Sequence, residues 1–460
     1  MDLLQGAELS TSRLALRVPE DVAAVVRRLQ ERGHEAFIVG GCVRDALRGV
    51  EPMDWDIATS ARPEAIQSAF RRSLYTNRFG TVAVQTAERE VEVTTYRVES
   101  DYADHRRPET VSFTDSLEAD LSRRDFTINA MAWRPAGEDG ELIDPFGGRD
   151  DLERRLLRAV GDPNERFDED ALRMLRAVRF ATVLQLEIDG PTAAAIQANA
   201  HLAAGLSGER IQREIVKMLE VPVPSTGFRM LGDLGLLAVI FPELEICKQI
   251  PQDKAVAQDV FEHSLITLDA TPVGDLVLRL AGLLHDIGKP DTFADGHFHQ
   301  HEFVGEAKAR AILRRWKLPK ETIVQVTHLV RHHMFWYQTE WTGSAVRRFV
   351  RKVGLEQIPA LFALRRADNI GSGARPSARM YALDDLWERV QEEIQHATAF
   401  STRDLAIDGH DLMTVVGMPE GPAIGRVMKE LFERVLDEPE LNEREKLLEL
   451  AREMAKEAQS

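Results

Sequence analysis

Two aspartates, Asp54 and Asp56, stand two residues apart and 13 residues after the glycine pair Gly40-Gly41. Side chains alternate faces along a strand, so acids at i and i+2 point the same way. Adjacent carboxylates repel, and a divalent cation holds them ionised together. Magnesium bound by one or two carboxylates plus substrate phosphates is the pattern of nucleotidyl transfer. Gly40 and Gly41 let the backbone turn tightly with no Cβ in a ligand's way. The amides opening the next helix then face phosphate oxygens, and Arg44, one turn in, is placed to clamp a triphosphate. Glu92, in VEVTTYR, offers a third carboxylate.

Two further groups have spacing that suits chemistry. In EDALRMLRAVR, read as one helix, Asp170, Arg173, Arg176 and Arg179 are each three apart and share half of its surface. Three arginines with one acid on their face make an anion site. The second group is His263 in VFEHSLITL, His285-Asp286 in RLAGLLHDIGKP and Asp368 in LRRADNIGSG. Imidazoles and carboxylates brought from three separate helices suit a transition-metal or magnesium site. His301, His328, His332 and His333 offer further ligands or phosphate contacts, and each alone also reads as a surface or capping histidine.

The elements that must position these residues fall into four stretches. In residues 1–150, EAFIVGG, MDWDIAT, GTVAVQT and REVEVTTYR read as strands, with Gly33 capping the helix before the first. From about 151 the chain turns helical, and RFDEDALRMLRAVRFATVLQL is its strongest amphipathic stretch. Residues 241–375 hold eight of the 13 histidines, all between His263 and His333. Residues 376–460 are helical, with a helix-turn-helix connection at DGHDLMTVVGMPEGPAIG. The fold class expected is α+β: a small mixed-sheet head (1–150), then an all-α neck (151–240), body (241–375) and tail (376–460).

Composition narrows the class. At 460 residues the chain is too long for one core. With 44% hydrophobic and 29% charged residues it reads as globular rather than disordered. No apolar run approaches the roughly 18 residues of a spanning helix, no secretory signal opens the chain, and Cys42 and Cys247 are too far apart in sequence for a disulfide framework. The expectation is a cytoplasmic protein with no membrane partner. A net charge of -17 excludes a bulk basic footprint for nucleic acid, so an RNA surface has to be local. Residues 305–352, with 11 Lys+Arg against 3 Asp+Glu and six interleaved aromatics from Trp316 to Phe349, are the candidate.

GGCVRDALRG…MDWDIATSA, DLSRRDFTINAMAW and RFDEDALRMLRAVRF, in that order, resemble the polymerase-β-type nucleotidyltransferase superfamily. Within it they are similar to tRNA nucleotidyltransferases of the bacterial and eukaryotic class, the CCA-adding enzymes and their poly(A) polymerase relatives. The resemblance implies tRNA, CTP and ATP as partners, with no DNA expected. It also implies magnesium at Asp54 and Asp56, and in-line attack of an RNA 3′-hydroxyl on an α-phosphate. It carries base reading to Asp170 and Arg173 with Glu169 in support, phosphate or ribose contact to Arg176 and Arg179, and ribose recognition to Arg124 with Asp125. The loop Val98–Phe113 looks full length, unlike that of CC-only enzymes. An A-adding enzyme or a poly(A) polymerase stays open.

The LLHDIGK frame, with its upstream histidine and downstream aspartate, resembles the HD phosphohydrolase superfamily. That implies a second site at His263, His285, Asp286 and Asp368 holding a divalent metal, with Mg, Mn, Ni and Co all open. Phosphatase, 2′-nucleotidase or cyclic phosphodiesterase activity is implied with it. The reading from another class is an HD phosphohydrolase whose head only binds RNA.

Overall fold

The computed structural model describes residues 11–77, 80–103, 107–136, 139–252, 254–373, 378–396 and 399–457. The chain forms two compact units, Met1–Pro242 and Glu243–Ser460.

In the first unit a helix covers an eight-stranded sheet. Helix Glu20–Glu31 buries Val22, Val25, Val26 and Leu29, the i, i+3, i+4, i+7 stripe of a helix with one apolar face. It stops where Gly33 takes φ +85°, as its reading as a cap requires. The strand order is Thr11–Leu14, Asp139–Ile143, Ala132–Ala136, Ala36–Val39, Asp56–Thr59, Glu90–Thr95, Thr81–Gln85, Ser73–Asn77. Every pairing is antiparallel except Asp56–Thr59 with Glu90–Thr95. Both faces are covered: Ile38, Ile57 and Val93 enter one core, while Phe37, Val39, Ala58 and Tyr96 enter another. That alternation fixes the register, since a slip of one residue would exchange the two sets.

Three expectations need correction. The strand carrying the two aspartates begins at Asp56, so Asp54 lies in the bend before it. The expected neck helix is two helices, Pro163–Glu169 and Leu172–Leu184, with Asp170 extended between them at φ -148°, ψ 104°. Its carboxylate accepts from the Leu172 amide at 3.0 Å, the local competition that makes aspartate a helix breaker and a cap. The segment Val98–Phe113 is largely an antiparallel ribbon, Arg97–Ala103 with Arg107–Phe113. Residues 104–106 of that segment lie outside the described residues.

Among the described residues the second unit is mostly helical, with a short ribbon pairing Phe293–Ala294 with His297–Phe298 and an isolated bridge between Pro251 and Asp259. His285 and Asp286 do not sit within a helix, as expected, but just past the end of Leu276–Leu284. Asp408 caps Gly409–Thr414 ahead of helix Pro422–Asp437, the helix-turn-helix expected there. The basic segment 305–352 is largely neutralised at home: Arg347 pairs with Glu393, Arg348 with Asp437 and Arg351 with Glu433. Of its six aromatics, Trp316 and Phe349 are core, and only Trp336 is mostly exposed, at 77%.

Candidate functional sites

In the head, the parallel pairing sets Asp56 directly beside Glu92. Trp55 is buried between an exposed Asp54 and a half-buried Asp56, and the charge of Asp54 reaches Asp56. Burial pushes the Asp56 carboxyl up, against the pull of Arg124 and with the help of Asp54. Glu92 is likewise raised, by burial and then by Asp56, Glu90 and Asp54. Glu92 thus feels the charge of both aspartates, and carboxylate oxygens are the ligands a hard cation such as magnesium takes. Among the described residues the three do not close into a group with ligand atoms within 4.8 Å of one another.

Gly40 takes φ +81°. A Cβ there would stand 2.6 Å from the Arg124 guanidinium, so glycine serves both the turn and the approach of that side chain. Arg44 forks onto Asp45 at 2.8–2.9 Å and donates to Asn129 Oδ1 at 2.6 Å. Its guanidinium lies against Gly41.

A pocket of about 620 Å³ opens beside these residues. Gly41, Arg44, Asp56, Arg124, Asp125, Asp170, Arg173, Arg176 and Arg179 line it, and so do Arg97, Arg123, Asn129, Phe180, Arg210 and Lys217. Nine Arg or Lys face three Asp, which makes it an anion site. The arginines are not the bare row that the single-helix reading implied. Arg173 pairs with Glu169 and donates to the Arg123 carbonyl at 2.9 Å. Arg176 donates to Asp125 through Nε at 2.8 Å, Arg179 pairs with Glu214, and Asp170 pairs with Arg210 at 2.6 Å. Burial alone would raise the Asp125 carboxyl, but Arg176 and the Asn129 amide hold it down at about 2.

Arg210, Glu214 and Lys217 escaped the sequence reading. They recur every four and three residues along helix Gly208–Leu219, and that one-face spacing is the signal that marks them. Glu169 and Glu92 do not line the pocket; each reaches it through a partner that does.

In the second unit, His263, His285, Asp286 and Asp368 do come together. His263 Nε2 lies 3.1 Å from His285 Nε2, 3.3 Å from Asp286 Oδ2 and 3.1 Å from Asp368 Oδ1. His301 and His333 join them: their Nε2 atoms are 3.2 Å apart and lie 3.3 and 3.6 Å from Asp286 Oδ1. Each of the four rings has its Nδ1 2.7–3.0 Å from a backbone carbonyl, those of Gly371, Gly282, Phe298 and Val330. A carbonyl only accepts, so each Nδ1 carries a proton and each Nε2 is the ring atom turned inward, the one through which a histidine held this way binds metal.

Two triads result, His263–His285–Asp286 and Asp286–His301–His333, each with ligand atoms within 4.8 Å of one another. Asp286 is held well below the usual carboxylate range despite its burial, by His285 and Lys289. His328 and His332 stand outside, with His328 Nε2 2.6 Å from the Val353 carbonyl. Beside the triads is a cavity of about 630 Å³ lined by Lys254, Lys289, Arg365, Phe335 and Trp336 among others.

With that geometry in place, comparison with known proteins is direct. The profile "Poly A polymerase head domain" matches residues 36–158, "Probable RNA and SrmB- binding site of polymerase A" matches 185–247, and "tRNA nucleotidyltransferase domain 2 putative" matches 300–451. The CCA-adding enzyme of Limosilactobacillus reuteri (strain DSM 20016) is 35% identical over 443 residues, 95% of this chain and 97% of that one. The CCA-adding enzyme of Geobacillus kaustophilus (strain HTA426) is 34% identical over 430 residues, 93% and 95% of the two chains. The crystal structure of the Bacillus stearothermophilus CCA-adding enzyme in complex with CTP superposes with a TM-score of 0.72 at 29% identity, covering 96% of this chain and 98% of that one. Among the described residues no helix is long and apolar enough to cross a membrane. The nucleotidyltransferase motifs, the fold that assembles them and relatives matched almost end to end agree, and this chain belongs to the family of CCA-adding enzymes.

Proposed function

We propose that the protein adds CCA to the 3′ end of tRNA from CTP and ATP, working in the cytoplasm with magnesium. The observation that carries this is the in-register placement of Asp56 beside Glu92, with Asp56 on the wall of the arginine-lined pocket. Asp54, Asp56 and Glu92 would hold a magnesium ion, which would supply charge neutralisation and lower the pKa of the attacking hydroxyl. Arg44, Arg124, Arg176 and Arg179 receive the triphosphate and ribose, with Asp125 fixing Arg176. Asp170 and Arg173 meet the Watson–Crick edge of the incoming base, since a carboxylate and a guanidinium together offer both acceptors and donors. Glu169 and Arg210 hold that pair in place. In this division residues 1–150 do the chemistry, 151–240 read the base and 376–460 contact tRNA.

The test uses three tRNA transcripts, ending before CCA, after C and after CC, each with magnesium and CTP, ATP or both. Completion of all three is the expected result. Extension of the CC-ending transcript alone would make the protein an A-adding enzyme, and long A tails would make it a poly(A) polymerase.

A second activity is favoured by the two histidine triads. We propose that residues 241–375 hydrolyse phosphate esters with His263, His285, Asp286 and Asp368 around one divalent ion. His301 and His333, together with Asp286, would hold another. Lys289 and Lys254 at the cavity supply positive charge for the ester's phosphate. Metal analysis of the purified protein is expected to find close to two ions per chain, and finding none would remove this site from the proposal.

A further inference from the structure

Phe180 is an apolar ring on the wall of the arginine-lined pocket, and the transfer chemistry proposed for that pocket gives it no part. It belongs to helix Leu172–Leu184 and is 7% exposed. The ring is fixed edge-on against Phe126, 5.8 Å between centroids. Three guanidinium carbons approach its centroid: Arg179 at 3.8 Å, Arg176 at 5.2 Å and Arg44 at 5.3 Å. All are within the roughly 6 Å over which a ring quadrupole attracts a cation. Arg176 and Arg179 share the helix of Phe180, whereas Arg44 comes from the helix after the glycine turn, Gly41–Leu47.

Three like charges in so small a space repel unless something draws them together. Carboxylates do part of this, at Asp45, Asp125 and Glu214, but a carboxylate also cancels the charge it gathers. An aromatic face attracts a guanidinium and leaves its full charge available to a phosphate. We propose that Phe180 is a positioning residue for the triphosphate of the incoming nucleotide, holding the three guanidiniums side by side without neutralising them. This rests on the reading of the pocket as the nucleotide site.

The test is equilibrium binding of CTP and CMP to the full-length protein and to F180L and F180Y. CTP and CMP present the same base and ribose, so only the polyphosphate distinguishes them. In F180L, CTP affinity is expected to fall about tenfold, the sum of three modest cation–π contacts, while CMP affinity changes less than twofold. F180Y keeps the ring and is expected to bind both as the wild type does. A protein with pentafluorophenylalanine at position 180 keeps the shape and reverses the quadrupole, and should behave like F180L even if F180L fails to fold. Equal weakening of CTP and CMP, or no change in the fluorinated protein, would overturn the role of Phe180. Failure of the wild type to bind either nucleotide would instead overturn the pocket's assignment.

Discussion

The chemistry proposed for the head rests on two short side chains, Asp54 and Asp56, so their amides are the sharpest probes. Asp54→Asn or Asp56→Asn is expected to slow nucleotide addition by about a thousandfold, the several kcal/mol that a held cation supplies to the transition state. CTP binding should persist. Asp125 makes a different prediction. Its folded pKa of about 2 lies below the ordinary 3.8, so the ionised form stabilises the fold above pH 4, and that contribution fades as pH falls toward 2. The shift corresponds to about 2 kcal/mol. Asp125→Asn should therefore cost at least about that much in urea unfolding at pH 7, and the gap from wild type should narrow toward pH 2. The residues legible in sequence are those whose meaning is local: a glycine pair, a DxD, an HD. Phe180, Arg210 and Glu214 were not, because each matters through partners brought from other segments, and an aromatic or an amphipathic face looks the same whether it serves a core or a site.

At the scale of elements, the sheet strands and most helices follow from apolar periodicity, whereas breaks between helices depend on single side chains. Asp170 is the clearest case: helical spacing continues through it, yet its carboxylate takes the Leu172 amide and ends one helix to start another. The break turns the Asp170 carboxylate toward Arg210, a pairing that a continuous helix did not suggest. His301 shows a comparable dependence on close packing. A Cβ on Gly288 would stand 2.2 Å from the His301 carbonyl oxygen and 2.5 Å from the Gly305 amide nitrogen, both backbone atoms. Gly288→Ala should force the turn and helix His301–Arg315 apart, costing about 1–3 kcal/mol in chemical denaturation. Bound metal should fall from two ions per chain to one, as measured by atomic emission.

On the scale of the whole molecule, each unit carries its candidate site on its own residues, so the two proposed activities should separate genetically. His285→Ala or Asp286→Asn is expected to empty the metal centre and stop phosphoester hydrolysis, while CCA addition stays within twofold of wild type. Loss of both activities with either substitution would mean that the sites are coupled. The division into head and helical regions was legible because strand and helix periods differ. The RNA surface was not, since the basic run at 305–352 finds its acids on helices far along the chain, Glu393, Glu433 and Asp437. Local charge counts cannot see such pairing.

The single parallel pairing in the sheet also bears on how this gene can vary. Asp56 and Glu92 are neighbours through the register of their two strands, which the alternation of side chains between the two faces of the sheet fixes. Codons added to or removed from the turns between them should be nearly silent. One codon gained or lost inside Asp56–Thr59 or Glu90–Thr95 swings an acid to the opposite face. Natural length polymorphism should therefore accumulate at the sheet's rim and be absent from these two strands.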